Sequence, residues 1–241
     1  MRDTVKFEKG NVKMIAHRGL SGLECENTAA AFVAAGNRSY FGIETDLHIT
    51  ADGAFVLLHD ASTARVAGGV DLNVEKLPLS AADSLRLVDR IDGQTRRDLV
   101  LPTLDEYIRI CRRYGKTAVL ELKGRSNPEK YAEAVRRIKR LGYLGQTFFI
   151  AFGKQNLLDL RGILPDAKMQ LLTSDWGKDT LAFLTAHRFD LDIEHKYLTP
   201  EIVSAVHGAG LELNCWTVND PARAEALVQM GVDYITTNIL E

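Results

Sequence analysis

The reactive side chains of this chain come in short, recurring groups. His17-Arg18 closes one apolar run, His59-Asp60 closes another, Glu44 and Asp46 flank Thr45, and Glu121 and Lys123 flank Leu122. Residues two apart on a strand share a face, so Glu44 points with Asp46, and Glu121 with Lys123. Three carboxylates brought together would repel by ~4 kcal/mol per pair at about 4 Å and an effective dielectric near 20, so a cation is expected among them. An all-oxygen donor set with no cysteine partner suits a hard divalent ion, Mg²⁺ or Ca²⁺, better than zinc. Arg18 and Lys123 remain as cations beside that ion, an arrangement that favours an anionic ligand, of which phosphate is the commonest. His17 and His59 are the two groups placed to exchange protons near neutral pH. The set reads as metal-assisted cleavage of a phosphoester.

The elements that must position these groups can be read from periodicity. Ile43, Thr45, Leu47 and Ile49 alternate with Glu44, Asp46 and His48, which is the period of a strand. Asp52-Gly53 then signals a hairpin into the run Ala54 to Leu58. A two-residue turn there would set Ala51 opposite Ala54 and Asp46 opposite His59, uniting carboxylates and a histidine in one patch. Val12 to Ala16 is an earlier strand. Thr28 to Ala35 is an alanine-rich helix for which Asn27 or Thr28 is the cap. From Ala61 to about Leu101 the pattern degrades into a loop-rich insertion. Thr103 and Glu106 have capping-box spacing for a helix to about Tyr114. Strands and helices then alternate to Thr237, with Asn127-Pro128, Thr199-Pro200 and Asp220-Pro221 as helix starts.

Such alternation implies parallel strands with helical crossovers. Counting Ala54 to Leu58 gives nine strands, one more than an eight-stranded barrel holds. A tight turn makes that segment antiparallel to its neighbour, so it is assigned to a lip at the mouth of a TIM (β/α)8 barrel. The expected organisation is one domain over residues 1–241 with an inserted subdomain at about 54–101. In such a barrel functional groups sit at the C-terminal strand ends, where His17, Glu44, Asp46, Glu121, Lys123, Asn214 and Trp216 all fall.

Composition narrows the class. The net charge of −2 comes from interleaved charges with no basic block, so nucleic acid is not an expected partner. No apolar run reaches bilayer length and the N-terminus lacks a signal-peptide core, so no stable membrane insertion is expected. Three cysteines without regular spacing point to a reducing compartment, and cytoplasmic location is the expectation. Nothing in the sequence specifies an oligomeric partner.

Several motifs occur together in order: His17-Arg18-Gly19 with Glu26-Asn27-Thr28, Glu44-Thr45-Asp46, Asp52-Gly53, His59-Asp60, Pro102-Thr103-Leu104, Glu121-Leu122-Lys123, and Trp216-Thr217-Val218-Asn219. Over about Met14 to Asn238 the chain resembles the glycerophosphodiester phosphodiesterase family. Cys25 stands where that family usually has proline, and the closing segment after Thr237 lacks the usual proline. The resemblance implies a TIM barrel with a small insertion after the His-Asp motif. It also implies a divalent metal on Glu44, Asp46 and Glu121, with His17 and His59 as acid and base. The implied reaction converts a small-molecule glycerophosphodiester into glycerol 3-phosphate and an alcohol, by attack of a neighbouring glycerol hydroxyl on phosphorus and opening of a cyclic intermediate by water. Arg18 and Lys123 would hold the phosphate and Trp216 would touch the substrate.

Other residues carry plainer expectations. His48, His187, His195 and His207 read as structural, Asp192 and Glu194 as structural or rim, and Asn27 as a helix cap first. Asp60 either orients His59 or caps the insertion. Two alternatives stand beside the leading one. A phospholipase acting on phosphatidylinositol or sphingomyelin-type lipids would want an aromatic membrane-contacting loop, and Ala61 to Leu101 has no Trp, Tyr or Phe. A non-catalytic phosphate-binding barrel would not need both histidines and all three carboxylates.

Overall fold

The computed structural model describes residues 3–90 and 92–241. Eight parallel strands close on themselves: β1 (Lys13–Ala16), β2 (Gly42–Ile49), β4 (Thr117–Leu122), β5 (Thr147–Ala151), β6 (Met169–Thr173), β7 (Asp190–Glu194), β8 (Leu213–Trp216) and β9 (Tyr234–Thr237). β1 completes the ring by pairing with both β2 and β9. β3 (Phe55–Leu57) is the surplus strand and pairs antiparallel with β2 alone at the rim. The fold is therefore a TIM barrel.

Helices α1 (Ala29–Gly36), α2 (Leu104–Tyr114), α3 (Pro128–Arg140), α4 (Lys154–Ile163), α5 (Thr180–His187), α6 (Pro200–Gly208) and α7 (Pro221–Met230) return the chain between strands. The starts are local chemistry. Thr103, Asn127, Thr199 and Asp220 each accept a backbone N–H in the first turn of the helix that follows. Thr28 does so for α1, which frees Asn27 for another task.

Strand alternation sorts the side chains. Ile43 and Leu47 of β2, and Ala118, Leu120 and Leu122 of β4, face the helices in one large core. Val119 of β4 faces the barrel interior with Ile15, Ile150, Leu172 and Tyr234. At the N-terminal end of the strands the interior is closed by rings. Phe41, Phe148 and Tyr234 have centroids 5.7 to 6.2 Å apart, and Lys13 and Lys168 lie over their faces. The other end is open.

The segment between β3 and α2 carries its own small core of Val66, Ala67, Val74, Leu85, Leu87 and Leu99, packed on Val56 and Leu58 from the lip and on Cys25 from the first loop. Its regular structure among the described residues is one short 3₁₀ turn, Leu79–Ala82, and isolated bridges.

The hairpin corrects the expected register. Leu47 pairs with Leu57 and Ile49 with Phe55, so Asp46 stands opposite Leu58, not His59. The loop has three residues: Thr50 N–H donates to the Ala54 carbonyl at 3.0 Å and Gly53 N–H to the Thr50 carbonyl at 2.9 Å. This is a type I turn closed by a left-handed glycine, Gly53 at φ +78°. The two-residue alternative requires positive φ at Asp52 as well, and Asp52 lacks it. Its carboxylate instead accepts from the Thr50 hydroxyl and the Leu79 N–H, pinning the turn to the insertion. One residue of slip moves His59 past the end of the ladder.

Candidate active site

The open end of the barrel holds a cavity of about 500 Å³. Its lining includes His17, Arg18, Glu44, His59, Glu121, Lys123 and Trp216, so the structure gathers residues from four separate strand ends and the lip. Asp46 lies immediately behind Glu44 and Glu121. One carboxylate oxygen from each of the three lies within 4.8 Å of the others, and all three residues are buried.

The first loop builds this corner with backbone as well as side chains. Arg18 and Asn27 adopt left-handed conformations, φ +55° and +53°, uncommon for residues with a Cβ. In that geometry Arg18 N–H donates to Glu44 Oε2 at 2.7 Å, and Asn27 N–H to the Arg18 carbonyl at 2.9 Å. Asn27 Nδ2 donates to Asp46 Oδ2 at 2.8 Å while its Oδ1 accepts from Thr45. Gly19 permits the fold of this loop, since a Cβ there would lie 2.7 Å from the Ala31 backbone. Asn27 is thus a site residue, and capping is left to Thr28.

Electrostatics divide the triad. Burial first, then the Asp46 and Glu121 charges, hold the Glu44 carboxyl well above its ordinary range. Burial and Asp46 push Glu121 up to about 8. Burial acts the same way on Asp46, but the cations of Lys123 and Arg18 overcome it and its carboxyl is held low. Lys123 Nζ lies 3.0 Å from Glu121 and 3.5 Å from Asp46, and Arg18 Nε lies 3.6 Å from Asp46. Asp46 Oδ1 is buried with no hydrogen-bond partner. Three buried carboxyls with converging oxygens, one of them without a hydrogen bond, form an all-oxygen donor set that fits Mg²⁺ or Ca²⁺.

Each cavity histidine is held from behind by Nδ1. His17 Nδ1 donates to Asn238 Oδ1 at 2.8 Å, and Asn238 is held in turn by Asn219, whose Oδ1 accepts its N–H at 2.9 Å. His59 Nδ1 lies 2.7 Å from Asp60 Oδ1. Nε2 of each ring takes no part in these bonds and is chemically able to exchange a proton. Burial, and then Arg18, lowers His17 to about 4. Burial also lowers His59, against the opposing pull of Asp46 and Asp60.

Several supporting residues escaped sequence reading. Arg65, from the insertion, donates through Nε to Asp60 at 2.7 Å and through both terminal nitrogens to Glu26, at 2.7 and 2.9 Å. Glu26 also accepts from Arg18 at 2.9 Å. A continuous polar chain thereby runs from His59 through Asp60, Arg65, Glu26 and Arg18 to Asp46. His48, read as structural, places its Nε2 3.2 Å from the His59 carbonyl and its Nδ1 2.8 Å from Glu75 of the insertion. Asp192 and Phe152 line the cavity although neither was assigned to it. His187, His195 and His207 contact Phe183, Arg223 and Asp233 and do not line the cavity.

The glycerophosphoryl diester phosphodiesterase family model matches residues 17–241. The chain is similar to a glycerophosphodiester phosphodiesterase of Caldanaerobacter subterraneus, 26% identical over 93% of each chain. It is also similar to glycerophosphodiester phosphodiesterase 1 of Mus musculus, 33% identical over 97% of this chain and 80% of the relative. Among solved structures, a phosphodiesterase of Oleispira antarctica in complex with the product sn-glycerol-3-phosphate superposes with a TM-score of 0.80. That match has 26% identity and covers 94% of this chain and 92% of the other.

Proposed function

The chain belongs to the glycerophosphoryl diester phosphodiesterase family, and on that footing we propose that its barrel mouth hydrolyses glycerophosphodiesters to glycerol 3-phosphate and an alcohol, with a divalent metal and two histidines. The observation that carries the reading is the meeting of Glu44, Asp46 and Glu121 within 4.8 Å in a cavity that also presents two cations and two imidazoles. Glu44, Asp46 and Glu121 are assigned as metal ligands, Arg18 and Lys123 as phosphate ligands, His17 and His59 as acid and base, and Trp216 as a substrate contact. The metal, when bound, supplies Lewis-acid polarisation of the phosphoryl group and lowers the pKa of a nearby hydroxyl.

This chain's own residues do the rest. Arg18 and Lys123 fix the phosphate and balance its charge. His17, neutral and with its proton held on Nδ1 by Asn238, offers a free Nε2 to take the proton of the glycerol hydroxyl that attacks phosphorus. His59, with the Asp60 carboxylate behind its Nδ1, is better placed to carry a positive charge and gives the leaving alcohol its proton. In the second half, water opens the cyclic diester and the two rings exchange roles by microscopic reversibility. Holding the hydroxyl against phosphorus can itself contribute several kcal/mol, ~7 or more in well-oriented systems.

Segment 54–101 is assigned as an inserted subdomain whose task is to carry His59 and Arg65 over the mouth. No described helix is long and apolar enough to cross a membrane, and the three cysteines are free and buried, which supports a cytoplasmic enzyme acting on a small dissolved substrate. A coupled assay for glycerol 3-phosphate over a panel of diesters, with Mg²⁺, Ca²⁺ or chelator, tests the reading. Release is expected with one or both ions and not with chelator, and no release from any diester with either ion would refute it. A diester lacking the neighbouring hydroxyl but cleaved at an unchanged rate would eliminate the cyclic route.

A further inference from the structure

The cavity has two unlike sides. On one lie the carboxylate triad, Arg18, Lys123 and the histidines. The other is walled by Ile150, Leu172, Phe152 and Trp216. The two rings meet edge to face, with centroids 5.5 Å apart and planes at 84°, and Phe152 is 48% exposed at the mouth. Into this apolar side opens one acidic group, Asp192 of β7. It is 1% exposed, and its Oδ1 is buried with no hydrogen-bond partner. Its backbone carbonyl accepts from Trp216 Nε1 at 3.2 Å, which ties the indole to the strand that carries the carboxyl.

No step of the hydrolysis uses Asp192. Burial, and then the Glu121 charge, hold its carboxyl well above the ordinary range while Asn214 pulls the other way, and a buried carboxyl oxygen without a hydrogen bond is costly to keep. The question is what ligand would supply the partner. An anionic alcohol would find no counter-charge on this side. A polyol could reach the Thr217 and Thr236 hydroxyls that also line the cavity, but its remaining hydroxyls would meet hydrocarbon and rings and lose their water without replacement. A compact cation sheathed in methyl groups meets both demands, because its methyls suit the aliphatic and aromatic walls and its charge suits ring faces and a carboxylate.

Building on the hydrolase reading, we propose that this side of the cavity receives the departing alcohol, and that Asp192 with the Phe152–Trp216 corner selects alcohols bearing a methylated ammonium group. Asp192 acts here as a specificity determinant and takes no part in bond making or breaking.

The test compares two esters of one shape, glycerophosphocholine and glycerophospho-3,3-dimethylbutanol, in which carbon replaces the charged nitrogen. With the full chain and Mg²⁺, kcat/KM should favour the choline ester by about tenfold or more, the size expected of a desolvated cation among rings and a carboxylate. Asp192→Asn should bring that ratio to within about twofold, and so should Phe152→Leu in part, an exposed position where folding is not at stake. Free choline should inhibit more strongly than 3,3-dimethylbutanol. Equal kcat/KM for the two esters in the wild type would overturn the proposal and leave the hydrolase reading intact. A preference that survives Asp192→Asn unchanged would overturn the role of Asp192. Hydrolysis of no diester at all would overturn the hydrolase reading, and this proposal with it. If Asp192→Asn does not fold, the wild-type ratio and the Phe152→Leu ratio still decide between these outcomes.

Discussion

Raising the pH towards 8 should tighten metal binding, and the steepness of that change follows from the carboxyls. Without metal, burial and Asp46 push Glu121 up to about 8, so near neutrality it holds a proton that it must give up to serve as the proposed metal ligand. Asp46 is held low by Lys123 and Arg18 and has no proton to lose. His17 and His59 lie below their ordinary value of 6.5 and are neutral above it. One proton released from Glu121 corresponds to about tenfold in affinity, ~1.4 kcal/mol, per pH unit below that value. Glu44, also held high, steepens the dependence where it too is protonated. Above about pH 8 the Glu121 contribution should level off. Calorimetric titration with Mg²⁺ or Ca²⁺, in buffers of different ionisation enthalpy, measures affinity and proton release together. Glu121→Gln should weaken binding, lower the proton count by about one and flatten the profile accordingly, and activity should return at high metal concentration. Affinity independent of pH between about 6.5 and 7.5, or an unchanged proton count in Glu121→Gln, would refute the reasoning. Stability carries the same sign. The folded pKa of Glu121 lies above its ordinary value of 4.5, so the metal-free fold should lose stability as pH rises through that interval, and added metal should restore Tm.

His59→Ala should leave the fold and metal affinity in place and lower kcat by about 10²- to 10⁴-fold, the usual size of a general acid–base contribution; wild-type turnover would remove His59 from the chemistry. Arg65→Met should lower kcat by about tenfold or more with little change in metal affinity, since it loosens Asp60 and Glu26 behind the site, and Arg65→Lys should recover only part because it cannot bridge both carboxylates. In that variant an unchanged kcat would show that the polar chain does not position His59. Phe149→Ala, at a buried position of β5, should cost about 3–5 kcal/mol in urea unfolding, and a loss below about 1 kcal/mol would contradict its place in the core.

Much of this was legible in the chain because barrel strands have a strict period. Glu44 with Asp46, and Glu121 with Lys123, share a face whatever the register between strands, so alternation alone predicts that they face inward. Helix starts at Thr103, Asn127, Thr199 and Asp220 were legible because capping is local. What failed depended on turn type. Asp52-Gly53 fits two turns that differ by one residue, and only the side-chain bonds of Asp52 to Thr50 and Leu79 decide between them. Asn27 looked like a cap because its spacing to α1 permits one, while its bond to Asp46 spans 19 positions. Arg65 lies in a segment without periodicity and pairs with Glu26 across 39 positions, so no local signal marks it. Asp192 alternates inward as visibly as Glu44, and a rule that every inward carboxylate near a strand end must find a partner would have flagged it.

The ring floor of Phe41, Phe148 and Tyr234 has a kinetic consequence. A tube stoppered at one end has a single doorway, so substrate, water and both products must pass the same rim. On the proposed reading the two products sit side by side below that rim, glycerol 3-phosphate against Arg18 and Lys123 and the alcohol against Asp192 and the Phe152–Trp216 corner, so either one left behind bars the next diester. Glycerol 3-phosphate and the free alcohol should therefore each inhibit competitively against the diester, and inhibition by only one of them would show that the two sides of the cavity do not share the doorway.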